Sequence, residues 1–124
     1  MLSLLHIENI AVIEQADLRF DRGFNVLTGE TGAGKSIVID AISAILGART
    51  YRDVIRTGTD KGFVSAVFTG IPALPWFEET QVGYDPDELL IQREIWADGK
   101  NVCRVNGRPV TVALLRALGA QLIS

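Results

Sequence analysis

Residues 29–36 read Gly-Glu-Thr-Gly-Ala-Gly-Lys-Ser, a complete match to the phosphate-binding pattern G-x-x-x-x-G-K-[ST]. Each residue type in that pattern has a task. Gly29, Gly32 and Gly34 permit backbone angles that a Cβ resists, so successive N–H groups can wrap an anion. Glu30, Thr31 and Ala33 add their backbone to the same wrap. Lys35 brings a full positive charge to the β- and γ-phosphates, and the Ser36 hydroxyl is suited to a Mg²⁺ ion bridging them. A helix opening here points its unpaired N–H groups and positive end at the same phosphates. The chemistry implied is binding of a nucleoside triphosphate, Mg·ATP.

The motif needs a strand before it and a helix after it, and the flanking residues meet both needs. Phe24–Leu27 is a short apolar run ending at Thr28–Gly29. From Lys35 to about Leu46 the residues are helix-forming and apolar nearly all round, with Gly47 as the stop. Such a helix is expected to be buried on most faces, with one face left for something else to cover. Strands are expected over Leu4–Ile10, Ala16–Phe20 and Phe63–Phe68, and a turn at Asp21–Gly23. Residues 49–60 read as irregular or as a short helix with a turn, and Gly70–Pro86, with three prolines and an acidic run, as a loop. Leu89–Trp96 and Asn101–Val105 form a hairpin across Asp98–Gly99, a two-residue turn signal, and Asn106–Gly107 ends the second strand. Thr111 caps a helix through Leu122. Gln121–Ser124 reads as the start of a further strand, so a continuation is expected. The fold class is α/β with an antiparallel β-subdomain, divided into a P-loop core over about residues 1–62 and a hairpin and helix over about residues 63–124.

Composition narrows the partners. Net charge is −3, and residues 63–88 carry five acidic groups and no basic one, so overall charge does not advertise nucleic-acid binding. No run reaches the roughly 18 apolar residues of a membrane span, and the N-terminus lacks the basic start of a signal peptide. The single Cys103 cannot form an intrachain disulfide, which fits a reducing cytosol; it reads as a small buried or half-buried strand residue. His6 reads as a strand residue rather than a ligand or base.

Hydrolysis needs more than this loop. No acidic residue ends an apolar strand to hold Mg²⁺, and no Glu is placed to position water. Asp40, one turn beyond Ser36, reads as an ordinary helix residue. The guanine-reading N-K-x-D segment of GTPases is absent, and Asp60-Lys61-Gly62 has the wrong spacing for D-x-x-G. The G-x-x-G-x-G-K-[ST] reading of the loop is shared by nucleotide kinases and ABC-type ATPases, and spacing alone does not choose between them. No catalytic residue is therefore assigned in this chain.

The residues also resemble a family. The segment SLLHIENIAVIEQADLRFDRGFNVLTGETGAGKSIVIDAISAILGAR is similar to the N-terminal part of the RecN family of bacterial SMC-like DNA repair ATPases. GETGAGKS, with Thr31 where SMC proteins tend to carry Asn, the IVIDAI that follows it and LGAR carry the likeness. So do DVIRTG (Asp53–Gly58) and VNGRPVTVALLRALG (Val105–Gly119). The resemblance implies the N-terminal half of an ABC/SMC-type ATPase head. A C-terminal half of the same head would bring the signature motif, Walker B Asp, catalytic Glu and switch His, and a glutamine loop would follow Ser124. It also implies two heads sandwiching ATP as a homodimer, DNA as a partner, a cytoplasmic, nucleoid-associated location, no membrane, and a role in double-strand break repair and recombination. Arg49, Arg52 and Arg56 then become candidates for the nucleotide's surroundings, and Tyr51 for stacking on adenine, against ordinary solvated or packed roles. Arg93 and Lys100 become candidates for DNA phosphates, against simple strand-face solvation. A non-hydrolysing ATP-binding switch or scaffold is the other reading of the same residues.

Overall fold

The computed structural model describes residues 1–20 and 32–123, with the backbone alone at residues 32 and 33. The expected Phe24–Leu27 strand, the Asp21–Gly23 turn and loop residues 29–31 lie outside them.

Six strands form one sheet: β1 (Leu2–Ile10), β2 (Ile13–Arg19), β3 (Lys61–Phe68), β4 (Leu89–Trp96), β5 (Asn101–Val105) and β6 (Arg108–Val110). Their order is β2-β1-β3-β4-β5-β6, and every neighbouring pair is antiparallel. The sheet thus runs unbroken across residue 62. Alternation along the strands sorts the faces. Pairing places Leu5, Ala66, Ile91 and Val105 in one row, and Ile7, Val64, Arg93 and Cys103 in the next. All eight are buried. At β4, Leu89, Ile91, Arg93 and Ile95 share this face, so an arginine stands in an otherwise apolar stripe.

Two helices cover that face. α1 (Gly32–Ile45) presses Ile37, Val38, Ala41, Ala44 and Ile45 onto the sheet, and α3 (Val112–Ile123) adds Leu115 and Leu118. The α1 helix is not buried on most faces. Its outward side carries Lys35, Ser36, Asp40 and Ser43, with Ile39 54% exposed among them. Gly47 stops it as expected, at φ +90°. Its N–H donates to the Ala44 carbonyl and that of Ala48 to Ser43, the paired bonds of a Schellman cap. The helices cross closely there: a Cβ on Gly119 would lie 2.2 Å from the Leu46 carbonyl oxygen.

Several expectations need correcting. Gly70–Pro86 is not all loop, for it contains α2 (Pro75–Thr80). Pro75 suits a helix's first turn, where its missing N–H costs nothing, and Trp76 and Phe77 are buried beneath it. Trp76 Nε1 donates to the Leu114 carbonyl at 2.8 Å, docking α2 on α3. The β4–β5 loop exceeds two residues: Gly99, at φ +96°, donates its N–H to the Trp96 carbonyl, and β5 begins only at Asn101. Asn106–Gly107 ends β5 as expected; both residues are at positive φ and make the tight turn that folds β6 back on β5. Asn106 also accepts from the Leu90 N–H and donates to the Gly83 carbonyl. Thr111 caps α3 through its hydroxyl, which accepts from the Leu114 N–H, and the helix continues to Ile123 where a strand was expected to begin.

Candidate functional site

The candidate site is the start of α1. Gly34 is half-buried, Lys35 and Ser36 are exposed, and Ile37 and Val38 turn into the core. The order follows from helix geometry: apolar residues one to three positions on from Lys35 and Ser36 anchor the start of the helix and leave the two polar side chains outside. No acidic residue occupies that turn. An exposed lysine and serine therefore follow directly on the helix-terminal N–H groups, with no acidic residue in the first turn, an arrangement that favours an anion. Among the described residues, no cluster of three or more His, Cys, Asp or Glu could hold a metal ion. The Ser36 hydroxyl is an oxygen donor of the kind that a Mg²⁺ ion arriving with a triphosphate would take.

The other candidate residues divide into separate groups. Arg49 and Tyr51 are both exposed, and the Arg49 guanidinium lies 5.4 Å from the centre of the Tyr51 ring. Arg52 opens a short 3-10 turn, Arg52–Val54, and shares a shallow depression with Arg56, Thr57, Gly58 and Ala97. The segment is fastened to the end of β1: Ala11 N–H donates to the Val54 carbonyl and Arg56 N–H to the Asn9 carbonyl. Arg52 and Arg56 therefore meet the tip of the β4–β5 hairpin. Lys100 sits on that tip, exposed, with its ammonium 5.8 Å from the Trp96 ring and Lys61 at 5.1 Å on the same indole.

Arg93 does not fit a DNA contact. It is 1% exposed. Its Nη1 donates to the Ala44 and Ala48 carbonyls, each at 2.7 Å, and its Nε to Asn101 Oδ1 at 2.9 Å. The guanidinium is thus turned into the protein and its donors are engaged there. Burial pushes its pKa below the ordinary arginine value, yet a guanidinium stays charged throughout the working range. The signal was legible in Leu89-Leu90-Ile91-Gln92-Arg93-Glu94-Ile95, where Arg93 has the parity of the apolar residues. Burial likewise pushes the thiol of its cross-strand neighbour Cys103 up, which makes it a core residue rather than a nucleophile.

His6 was expected to be an ordinary strand residue, and it stands on the open face of β1. Its Nδ1 lies 2.6 Å from Asp17 Oδ1 and its Nε2 2.5 Å from Glu8 Oε2. Burial alone would lower its pKa; the bonds and charges of the two carboxylates outweigh that and raise it above 6.5. Among the described residues, no helix is long and apolar enough to cross a membrane.

Comparison with known proteins bears on the family and the fold. The AAA domain family model matches residues 4–74, more than half of the chain. DNA repair protein RecN of Bacillus subtilis strain 168 is 44% identical over 126 residues, covering 99% of this chain and 22% of the relative. RecN of Halalkalibacterium halodurans is 40% identical over the same shares. The chain thus spans little more than a fifth of the length of these curated relatives. In fold it is similar to a structure from work on the ATP-driven dimerization and DNA-stimulated activation of SMC ATPases. That likeness has a TM-score of 0.74 at 25% identity, over 99% of this chain and 80% of the other. The chain belongs to the AAA domain family, resembling RecN DNA repair proteins along nearly all its length and SMC ATPase heads in fold.

Proposed function

We propose that this chain binds Mg·ATP through Gly29–Ser36 as part of a RecN-like ATPase head that serves DNA double-strand break repair and recombination. One observation carries the reading: the complete phosphate-loop motif runs into α1, whose first two turns expose Lys35 and Ser36 and bury Ile37 and Val38. Lys35 would neutralise charge on the β- and γ-phosphates, and the Ser36 hydroxyl would be a ligand for the accompanying Mg²⁺. The backbone of residues 29–34 would hold the phosphates by N–H donation. Mg²⁺, when bound, supplies charge neutralisation at the β- and γ-oxygens.

Binding is assigned to these residues and bond cleavage is not. In this reading the exposed side of α1, with Ile39 and Ser43, faces the C-terminal half of the same head. The signature and acidic residues come from that half and from a second head across the nucleotide. Arg49, Arg52, Arg56 and Tyr51 are the nucleotide-proximal candidates of this chain, and Lys100 is its DNA-contact candidate. The location is cytoplasmic and nucleoid-associated.

ATP turnover tests the division of labour. The expected result is none above background from the chain alone, and Lys35-dependent turnover once the remaining part of a RecN-like head is supplied separately. Turnover by the isolated chain that Lys35→Ala abolishes would overturn the claim that catalysis lies elsewhere.

A further inference from the structure

We propose that Arg93 is a positioning residue for the phosphate-binding turn of α1, tying the far end of that helix to the β4–β5 hairpin. The proposal rests on the reading that α1 presents Lys35 and Ser36 to a triphosphate. A guanidinium buried in an apolar row of the sheet is a costly feature unless its bonds are well formed. Among the described residues no carboxylate pairs with it; its partners are carbonyls at the negative end of a helix. From the strand side, Asn101 Oδ1 accepts from Nε and holds the plane of the group. On the helix side, Nη1 reaches Ala44 and Ala48 together, while Nη2 lies 3.4 Å from Thr50 Oγ1 on the exit segment.

Capping alone does not account for this arrangement. The Ala44 carbonyl already accepts from the Gly47 N–H, and the Ala48 N–H already reaches Ser43. The two bonds of the cap, to the Ala44 and Ser43 carbonyls, are made without Arg93, so its bonds to Ala44 and Ala48 add a tie between that end and the hairpin. A second tether lies on the other side, where Arg116 Nε donates to the Gly47 carbonyl at 3.2 Å and Gly119 abuts Leu46. Among the described residues, the side-chain hydrogen bonds from the hairpin to the end of α1 all come from Arg93. The lever is long: Gly34 to Ala44 spans about 15 Å of helix at about 1.5 Å per residue. A tilt of about 4° at the clamped end moves the first turn by about 1 Å, a displacement that can cost roughly 100-fold where reacting groups must align. For binding alone, a loss of about tenfold is expected, within the roughly 5–150-fold span of coupling between sites.

Mg·ATP affinity by titration calorimetry and amide exchange over residues 37–40 of α1 test this in the full chain. Arg93→Lys keeps the charge but loses the fork; Asn101→Ala frees the guanidinium plane while leaving it in place. Arg104→Gln, on the neighbouring strand and outside the clamp, is the control. Arg93→Lys, folded by circular dichroism, should bind about tenfold more weakly and exchange faster at residues 37–40. Asn101→Ala should lie between it and the parent, and Arg104→Gln should match the parent. A folded Arg93→Lys with parental affinity, or with parental exchange at residues 37–40, overturns the proposal. If Arg93→Lys does not fold, Asn101→Ala decides it by the same two readouts. If the parent chain binds no Mg·ATP, or Lys35→Ala binds equally well, the phosphate-loop reading is what fails. Exchange at residues 37–40 then decides the clamp by itself.

Discussion

Replacing Gly119 with alanine should destabilise the protein although it puts the best helix former into the middle of a helix. On propensity alone the change gains about 1 kcal/mol. Against it stands the crossing of α3 over the end of α1. An added Cβ would lie 2.2 Å from the Leu46 carbonyl oxygen, 2.9 Å from its carbonyl carbon and 3.0 Å from its Cα. All three atoms are backbone, so no side chain can rotate away. Relief requires the helices to separate by roughly 1 Å, which loosens Leu115 and Leu118 in the core. Overpacking typically costs about 1–3 kcal/mol, and backbone overlap of this depth belongs at the upper end. The net loss should be about 2 kcal/mol, or about 6 °C in Tm for a chain of this size. Thermal and urea denaturation followed by circular dichroism would measure it. Ala120→Gly on the exposed side of the same helix is the companion, expected to lose about 1 kcal/mol from propensity alone. The same exchange, made in opposite directions at adjacent residues, should destabilise both times. A Gly119→Ala variant as stable as the parent, or more so, would refute the close-crossing argument.

Trp76→Phe keeps most of the buried ring but removes the donor to the Leu114 carbonyl. It should cost about 1–2 kcal/mol in urea denaturation, with faster exchange in α2 as the local sign. For His6, the folded-state pKa is raised above 6.5, so its contribution to stability is fully present below that value. It is lost as pH rises through the raised folded value. His6→Gln should flatten that slope in a pH series of denaturation curves; an unchanged slope would mean that the Glu8–His6–Asp17 contact is not populated. NMR titration of the imidazole should place its midpoint above that of an unfolded-chain histidine.

The parts of the fold that were legible in the sequence are those where local chemistry and tertiary packing agree. Alternation marked β1, β2, β3 and the β4–β5 hairpin because one sheet face is buried and the other open. Gly47 marked the end of α1 because few residues other than glycine adopt φ +90° readily. Thr111 marked the start of α3 because its hydroxyl satisfies an otherwise orphaned N–H. What escaped was set by distant partners. The helix Pro75–Thr80 is only six residues long, and its reason to form is the burial of Trp76 and Phe77 near α3, 38 residues from Leu114 in sequence. Arg93 shares the parity of the apolar residues of β4, yet it read as a surface cation because its compensation, two carbonyls at the end of α1, lies 45 and 49 residues away. The outward face of α1 could not be separated from its inward face, since Ile39 is as apolar as Ile37 and only the sheet distinguishes them. At the candidate site, the roles of Lys35 and Ser36 were argued from motif chemistry, and the structure adds their exposure.

The central claim is that Gly29–Ser36 holds Mg·ATP, and titration calorimetry of this chain with ATP and Mg²⁺ tests it most directly. The parent should bind saturably, with affinity that falls when Mg²⁺ is removed. Lys35→Ala should lose at least about tenfold in affinity while keeping its circular dichroism and Tm, because Lys35 is exposed and surface substitutions usually stay within about 0.5 kcal/mol. Equal binding by a folded Lys35→Ala, or no binding by the parent, would contradict the account.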